Sequence, residues 1–177
     1  MNQEELKNAC ERMQKIKFPS KPKDLQNRVG KWASKAFPHS DNHAKIEHIR
    51  DEIKELKESP NDPFEAADIY LILLHLAHSN AFNLMEHTDA YPFVKTVQEA
   101  IQNIENALNF FESLESHPAN VHVLAAISGN IFRIASILNF DLFDVAEKKF
   151  ALVQERTYGK PDERGVSHHI VKAQGEL

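Results

Sequence analysis

Four carboxylates stand in two pairs of equal spacing, Glu52-x-x-Glu55 and Glu65-x-x-Asp68. A separation of three residues sets both members of a pair on one face of a helix. The intervening Ser59-Pro60-Asn61-Asp62-Pro63 reads as a tight turn, so the two helices are antiparallel neighbours and the four groups converge. Like charges gathered this way repel and lose water, which is costly unless a cation neutralises them. A hard divalent ion with oxygen ligands meets that need. Mg²⁺ takes a few carboxylates and keeps other positions for water and phosphate oxygens. The chemistry implied is phosphate chemistry.

Each acid also has a blander reading. Glu52 and Glu55 suit a solvated face of a charged helix, and Glu65 suits the first turn of its own helix as a partner of the macrodipole. Asp68 resists such a reading. It lies one turn inside the most apolar segment of the chain, between Ala67 and Ile69, where an unpaired carboxylate is expensive.

The elements that must position these groups are helices. Apolar residues recur at steps of three and four, Gly is scarce at 5 residues, and strand patterns are weak. A first helix is expected over Gln3–Lys17, ending where Pro19 and Pro22 break the pattern. A second begins at Asp24 as N-cap and carries Leu25, Val29, Trp32 and Ala36. The third starts at Asp41 or Asn42, with Ile46, Ile49, Ile53 and Leu56 as its seam. Asp62 caps a fourth, with Pro63 in first position, that runs to Asn80 and is apolar all round, hence buried. Helices over Pro92–Leu114 and Asn120–Leu138 follow, the latter closed by Asn139 as a left-handed cap. Asp141 caps a last one to Thr157. The sequence thus predicts an all-α fold, an antiparallel bundle of six to seven helices forming one domain over residues 1–177. Residues 1–22 are a helical extension, 83–129 a helical elaboration, and 159–177 a polar tail.

Composition narrows the partners. With 42% hydrophobic and 27% charged residues the chain suits a soluble domain. The formal charge of −5, without a basic face or arm, argues against nucleic-acid polymers. The longest apolar run, Ile69–Leu74, stops at His75, far short of the ~20 residues of a membrane span. The single cysteine, Cys10, fits a reducing compartment, and nothing near it would lower its pKa for nucleophilic work. The expected location is cytoplasmic.

Glu52-Ile53-Lys54-Glu55, followed after nine residues by Glu65-Ala66-Ala67-Asp68-Ile69, resembles the MazG-type all-α nucleoside triphosphate pyrophosphatases. Leu25 to Leu76, with Trp32 and Phe37 ahead of the motif, is most similar to the phage and bacterial branch that includes dATP/dGTP diphosphohydrolases. Leu142 to His169, with Lys148-Lys149, Arg156-Thr157-Tyr158-Gly159 and Gly165-Val166-Ser167-His168-His169, resembles the closing helix and tail of that branch. The resemblance implies Mg²⁺, with Mn²⁺ as substitute, on Glu52, Glu55, Glu65 and Asp68, and Lys and Arg contacts to a triphosphate. It also implies a homodimer or homotetramer. Two departures stand out. Val153 occupies a position, three before Arg156, where the family often has Asn, and some 50 residues from Asn83 to Gly129 exceed a minimal member.

The reaction then expected is hydrolysis of a nucleoside triphosphate to monophosphate and pyrophosphate, with Glu52 or Glu55 as base. Lys148 or Lys149, and Arg156, would hold the leaving pyrophosphate, unless they only complement a helix C-terminus. Trp32 is expected either to stack on a base or to fill the core. His75 is expected to bond a core carbonyl, and His168-His169 to approach a phosphate or stay solvated. The rival readings are a same-fold enzyme acting on dUTP or phosphoribosyl-ATP, and a non-catalytic helical binding module.

Overall fold

A computed structural model describes residues 22–88, 93–113 and 121–170. The helix expected over Gln3–Lys17, with Cys10, lies outside these residues. Within them the protein is all-α: α1 (Pro22–Ala36), α2 (Asn42–Glu58), α3 (Pro63–Ser79), a 3₁₀ turn (Leu84–His87), α4 (Val97–Ser113), α5 (Val121–Leu138) and α6 (Leu142–Gln154).

Three of the four expected Asp caps form. Asp41 accepts the Ala44 amide at 2.8 Å, Asp62 accepts that of Phe64 at 2.9 Å, and Asp141 takes the amides of Phe143 and Asp144. Asn139 is left-handed at φ 58°. Some boundaries differ from expectation. Asp24 does not cap α1 but lies within its described span, Pro22–Ala36, where it pairs with Arg28 at 2.9 Å. α4 begins at Val97, because Thr96 and Glu99 form a reciprocal capping box: Thr96 Oγ accepts the Glu99 amide at 3.1 Å, and Glu99 accepts the Lys95 and Thr96 amides. α6 stops at Gln154, which leaves Arg156 and Thr157 beyond the helix.

α3 is the centre of the bundle and touches α1, α2, α5 and α6. Ile69, Tyr70, Leu73, Leu74 and Leu76 on it are wholly buried, as its all-round apolarity requires. The Tyr70 ring meets Phe132 of α5 and Phe143 of α6 edge-on, with centroids 5.5 and 6.0 Å away. α4 packs on α5 and α2. By composition alone α5 is long and apolar enough to cross a membrane, although it lacks an unbroken apolar run; 61% of it is buried inside the bundle.

α1 comes against α3 where Gly30 meets His78. A Cβ on Gly30 would stand 2.1 Å from His78 Cγ and 2.5 Å from its Cβ. Past α6 the chain folds back on itself. Tyr158 and His169 form an isolated antiparallel bridge, and the Gly159 amide donates to the His168 carbonyl at 2.9 Å. The segment read as a polar tail, 159–177, is therefore over residues 159–170 part of a hairpin with Val166 buried, and its remainder lies outside the described residues.

Two backbone positions yield opposite predictions. Ala81, just past α3, is left-handed at φ 58°, a conformation that crowds its Cβ. Ala81→Gly should stabilise the fold by about 0.5–1 kcal/mol. Gly30→Ala should destabilise it by about 1–3 kcal/mol through overpacking against His78. Urea unfolding of both variants checks the two signs.

Candidate active site

Three of the four acids, Glu52, Glu55 and Glu65, gather closely where α2 and α3 meet, and Asp68 lies in the same cavity but pairs with Lys149. α2 and α3 are joined by a short turn and pack side by side. One carboxylate oxygen each from Glu52, Glu55 and Glu65 lie within 4.8 Å of one another. Glu65 Oε2 is buried without a hydrogen-bond partner among the described residues. Burial raises the Glu65 pKa from its ordinary value, with Glu55 and Glu52 adding to the effect and Lys149 opposing it.

Asp68 is deeper. Burial first, then the charge of Glu52, push its carboxyl up to about 7 against the pull of Lys149. Lys149 comes from α6 and forms an ion pair with Asp68 Oδ2. Its Nζ also lies 5.5 Å from the centre of the Phe64 ring. Asp68 thus takes its countercharge from a helix far away in sequence.

These groups line a cavity of about 420 Å³ bounded by α1, α2, α3, α6 and the 158–170 hairpin. Trp32 is half-buried on its wall and belongs to an aromatic cluster. It meets Phe37, Phe150 and Tyr158 edge-on at 5.6, 5.7 and 6.3 Å. Arg156 lies exposed at the rim, and His168 and His169 line the same opening. Val153 also lines the cavity; its carbonyl accepts the Tyr158 hydroxyl at 3.1 Å.

Of the two adjacent lysines only Lys149 reaches the acids. Lys148 pairs with Asp144 at 2.7 Å on the exposed face of α6 and is not among the cavity's lining residues. Successive residues on a helix point about a quarter-turn apart or more, so neighbours in sequence serve different faces.

Three contributors escaped the sequence reading. His48 Nε2 lies 2.9 Å from Glu52 Oε1. Its position four residues before Glu52 was the available signal. Lys45, one turn earlier on the same strip, also lines the cavity. Arg164 ties the hairpin to α2, donating to Asp51 Oδ1 at 3.2 Å and to Asp162 at 3.0 Å. Asp162 in turn accepts the Arg164 and Val166 amides at 2.9 Å, closing a turn whose Gly165 has φ 79°. A Cβ there would meet that of Ala44 at 3.0 Å, so the turn rests directly on α2. A lone Arg in a polar stretch carries no such message in sequence.

Residues 25–91 match the family model of the dATP/dGTP pyrophosphohydrolases. The matched stretch holds both carboxylate pairs, Trp32, His48 and His75, and it supports the MazG-type resemblance and a nucleotide pyrophosphohydrolase activity in general. Lys149, Arg156 and the hairpin lie beyond it. No curated protein and no solved structure matches the chain.

The Asp68–Lys149 pair carries a pH prediction. A carboxyl whose folded-state pKa is raised contributes stability that is present below its unfolded value and lost as pH rises through about 7. Lys149→Met removes the countercharge and raises Asp68 further. Without divalent ions the substitution should cost about 1–3 kcal/mol at pH 8 and distinctly less at pH 5, where Asp68 is protonated either way. Denaturation at the two pH values measures the difference.

Proposed function

We propose that this protein hydrolyses a nucleoside triphosphate between the α- and β-phosphates, releasing a monophosphate and pyrophosphate, with Mg²⁺ held by Glu52, Glu55, Glu65 and Asp68. The observation that carries the reading is Glu65 Oε2, buried beside Glu52 and Glu55 and without a hydrogen-bond partner among the described residues. An acceptor oxygen left so among like charges is costly unless a cation takes it. The cavity around it adds cationic groups, Lys149 and Arg156, that suit phosphate oxygens. The family match over residues 25–91 supports a nucleotide as substrate.

When bound, Mg²⁺ would neutralise phosphate charge and acidify a water; Mn²⁺ would substitute. The chain supplies the rest. Glu52 or Glu55 accepts the proton of the attacking water as a new P–O bond forms and the α–β bridge breaks. Glu52 is the better oriented of the two, since His48 holds its Oε1. Lys149 and Arg156 attract the charge that builds on the departing pyrophosphate. Trp32 presents an aromatic edge or face to the base, in a wall whose other rings fix it.

Assembly into a homodimer or homotetramer is a separate part of the proposal. A single chain already bounds the cavity on several sides. Sedimentation of the purified protein reads the assembly state independently of activity.

Incubation with Mg²⁺ and a panel of nucleoside triphosphates, with products resolved by ion-exchange chromatography, tests the reaction. Monophosphate and pyrophosphate should appear, and disappear on chelation. Glu52→Gln and Asp68→Asn should each lower kcat by about 100-fold or more. Diphosphate and orthophosphate as products would move the scission to the wrong bond and sink the assignment.

A further inference from the structure

The cavity has a second end, which hydrolysis leaves unused. Along α2, Lys45, His48, Glu52 and Glu55 follow at intervals of three and four and so share one strip of the helix. α3 lies alongside, and its Glu65, Asp68 and His75 line the same cavity. The side-chain amides of Asn42 and Asn80 bond each other at 3.1 Å and fix the pairing of the two helices at this end. The acids therefore gather near the Ser59–Pro63 turn, and Lys45 and His75 gather away from it. Lys45 precedes Glu52 by two turns, about 10 Å of helix rise. That is on the scale that separates the phosphates of a nucleotide from the far edge of its base.

Lys45 is 4% exposed, and its Nζ donates to the carbonyls of Ser40 at 2.6 Å and Asp41 at 3.2 Å. An ammonium has three N–H donors. Among the described residues the third has no protein acceptor, which is unfavourable for a charged group so buried. His75, 7% exposed, is kept neutral by burial and by the charge of Lys45, its pKa brought down to about 3. A neutral imidazole adds one donor and one acceptor.

We propose that this end of the cavity reads the nucleobase, and that Lys45 determines specificity by donating its third N–H to an oxo group on the base edge. Guanine offers O6 and N7 side by side as acceptors, whereas adenine sets an amino donor where O6 would be. The site therefore favours guanine over adenine. The inference rests on the nucleotide reading above and adds the choice of base to it.

The test compares kcat/KM for dGTP, dITP, dATP and the 2-aminopurine deoxynucleoside triphosphate, with calorimetric binding of dGMP and dAMP alongside. The two oxo bases should be preferred by about tenfold or more. Lys45→Met should bring the four substrates to within about twofold. Equal handling of hypoxanthine and 2-aminopurine by the unmutated protein would overturn the proposal, whether or not the variant folds. So would a folded Lys45→Met that slows every substrate by one factor. A preference for dGMP over dAMP without turnover of any triphosphate would uphold base reading and overturn the hydrolase assignment instead.

Discussion

Two acids on the central helix of the bundle set the terms for what surrounds them. α3 is apolar on nearly every side, as the central helix of a bundle should be, yet it carries Glu65 and Asp68 on the side facing α2. Burial first, with the charge of neighbouring carboxylates behind it, raises both carboxyls above their ordinary values. Lys149 on α6 meets Asp68, His48 on α2 meets Glu52, and one oxygen of Glu65 has no hydrogen-bond partner among the described residues. These groups are arranged around a charge that the core would otherwise reject.

Much of this was legible because local rules set it. The equal spacing of the two acidic pairs, the Pro-flanked turn between them and the Asp caps at positions 41, 62 and 141 are all short-range signals, and each survives in the fold. What stayed hidden depends on distance in sequence. Lys149 and Lys148 cannot be told apart until α6 is seen to turn one of them toward α3. The grip of Arg164 on Asp51 is invisible for the same reason. The Thr96–Glu99 box is a different kind of miss. It is a short-range signal present in the sequence, and it competes with Pro92, a residue equally suited to open a helix.

Trp32 shows that packing and binding need not be rival explanations for one residue. Its edge-on contacts to Phe37, Phe150 and Tyr158 hold α1, α6 and the hairpin together on one side of the cavity. The same ring lines the space where a base would lie. A large aromatic fixed by three others loses little freedom when a ligand arrives, which suits a rigid wall.

Among the described residues, none that lines the cavity comes from α4 or α5. Its walls are drawn from α1 to α3 and from α6 onward, so the site is complete only once the intervening chain has looped out and returned. Loop-closure entropy depends only logarithmically on length, and doubling such a stretch costs about 0.6 kcal/mol. α5 is bound by its packing on α3, but α4 contacts the rest mainly through α5 and α2. That is where evolutionary insertions and deletions can accumulate while the distance between Asp68 and Lys149 stays the same.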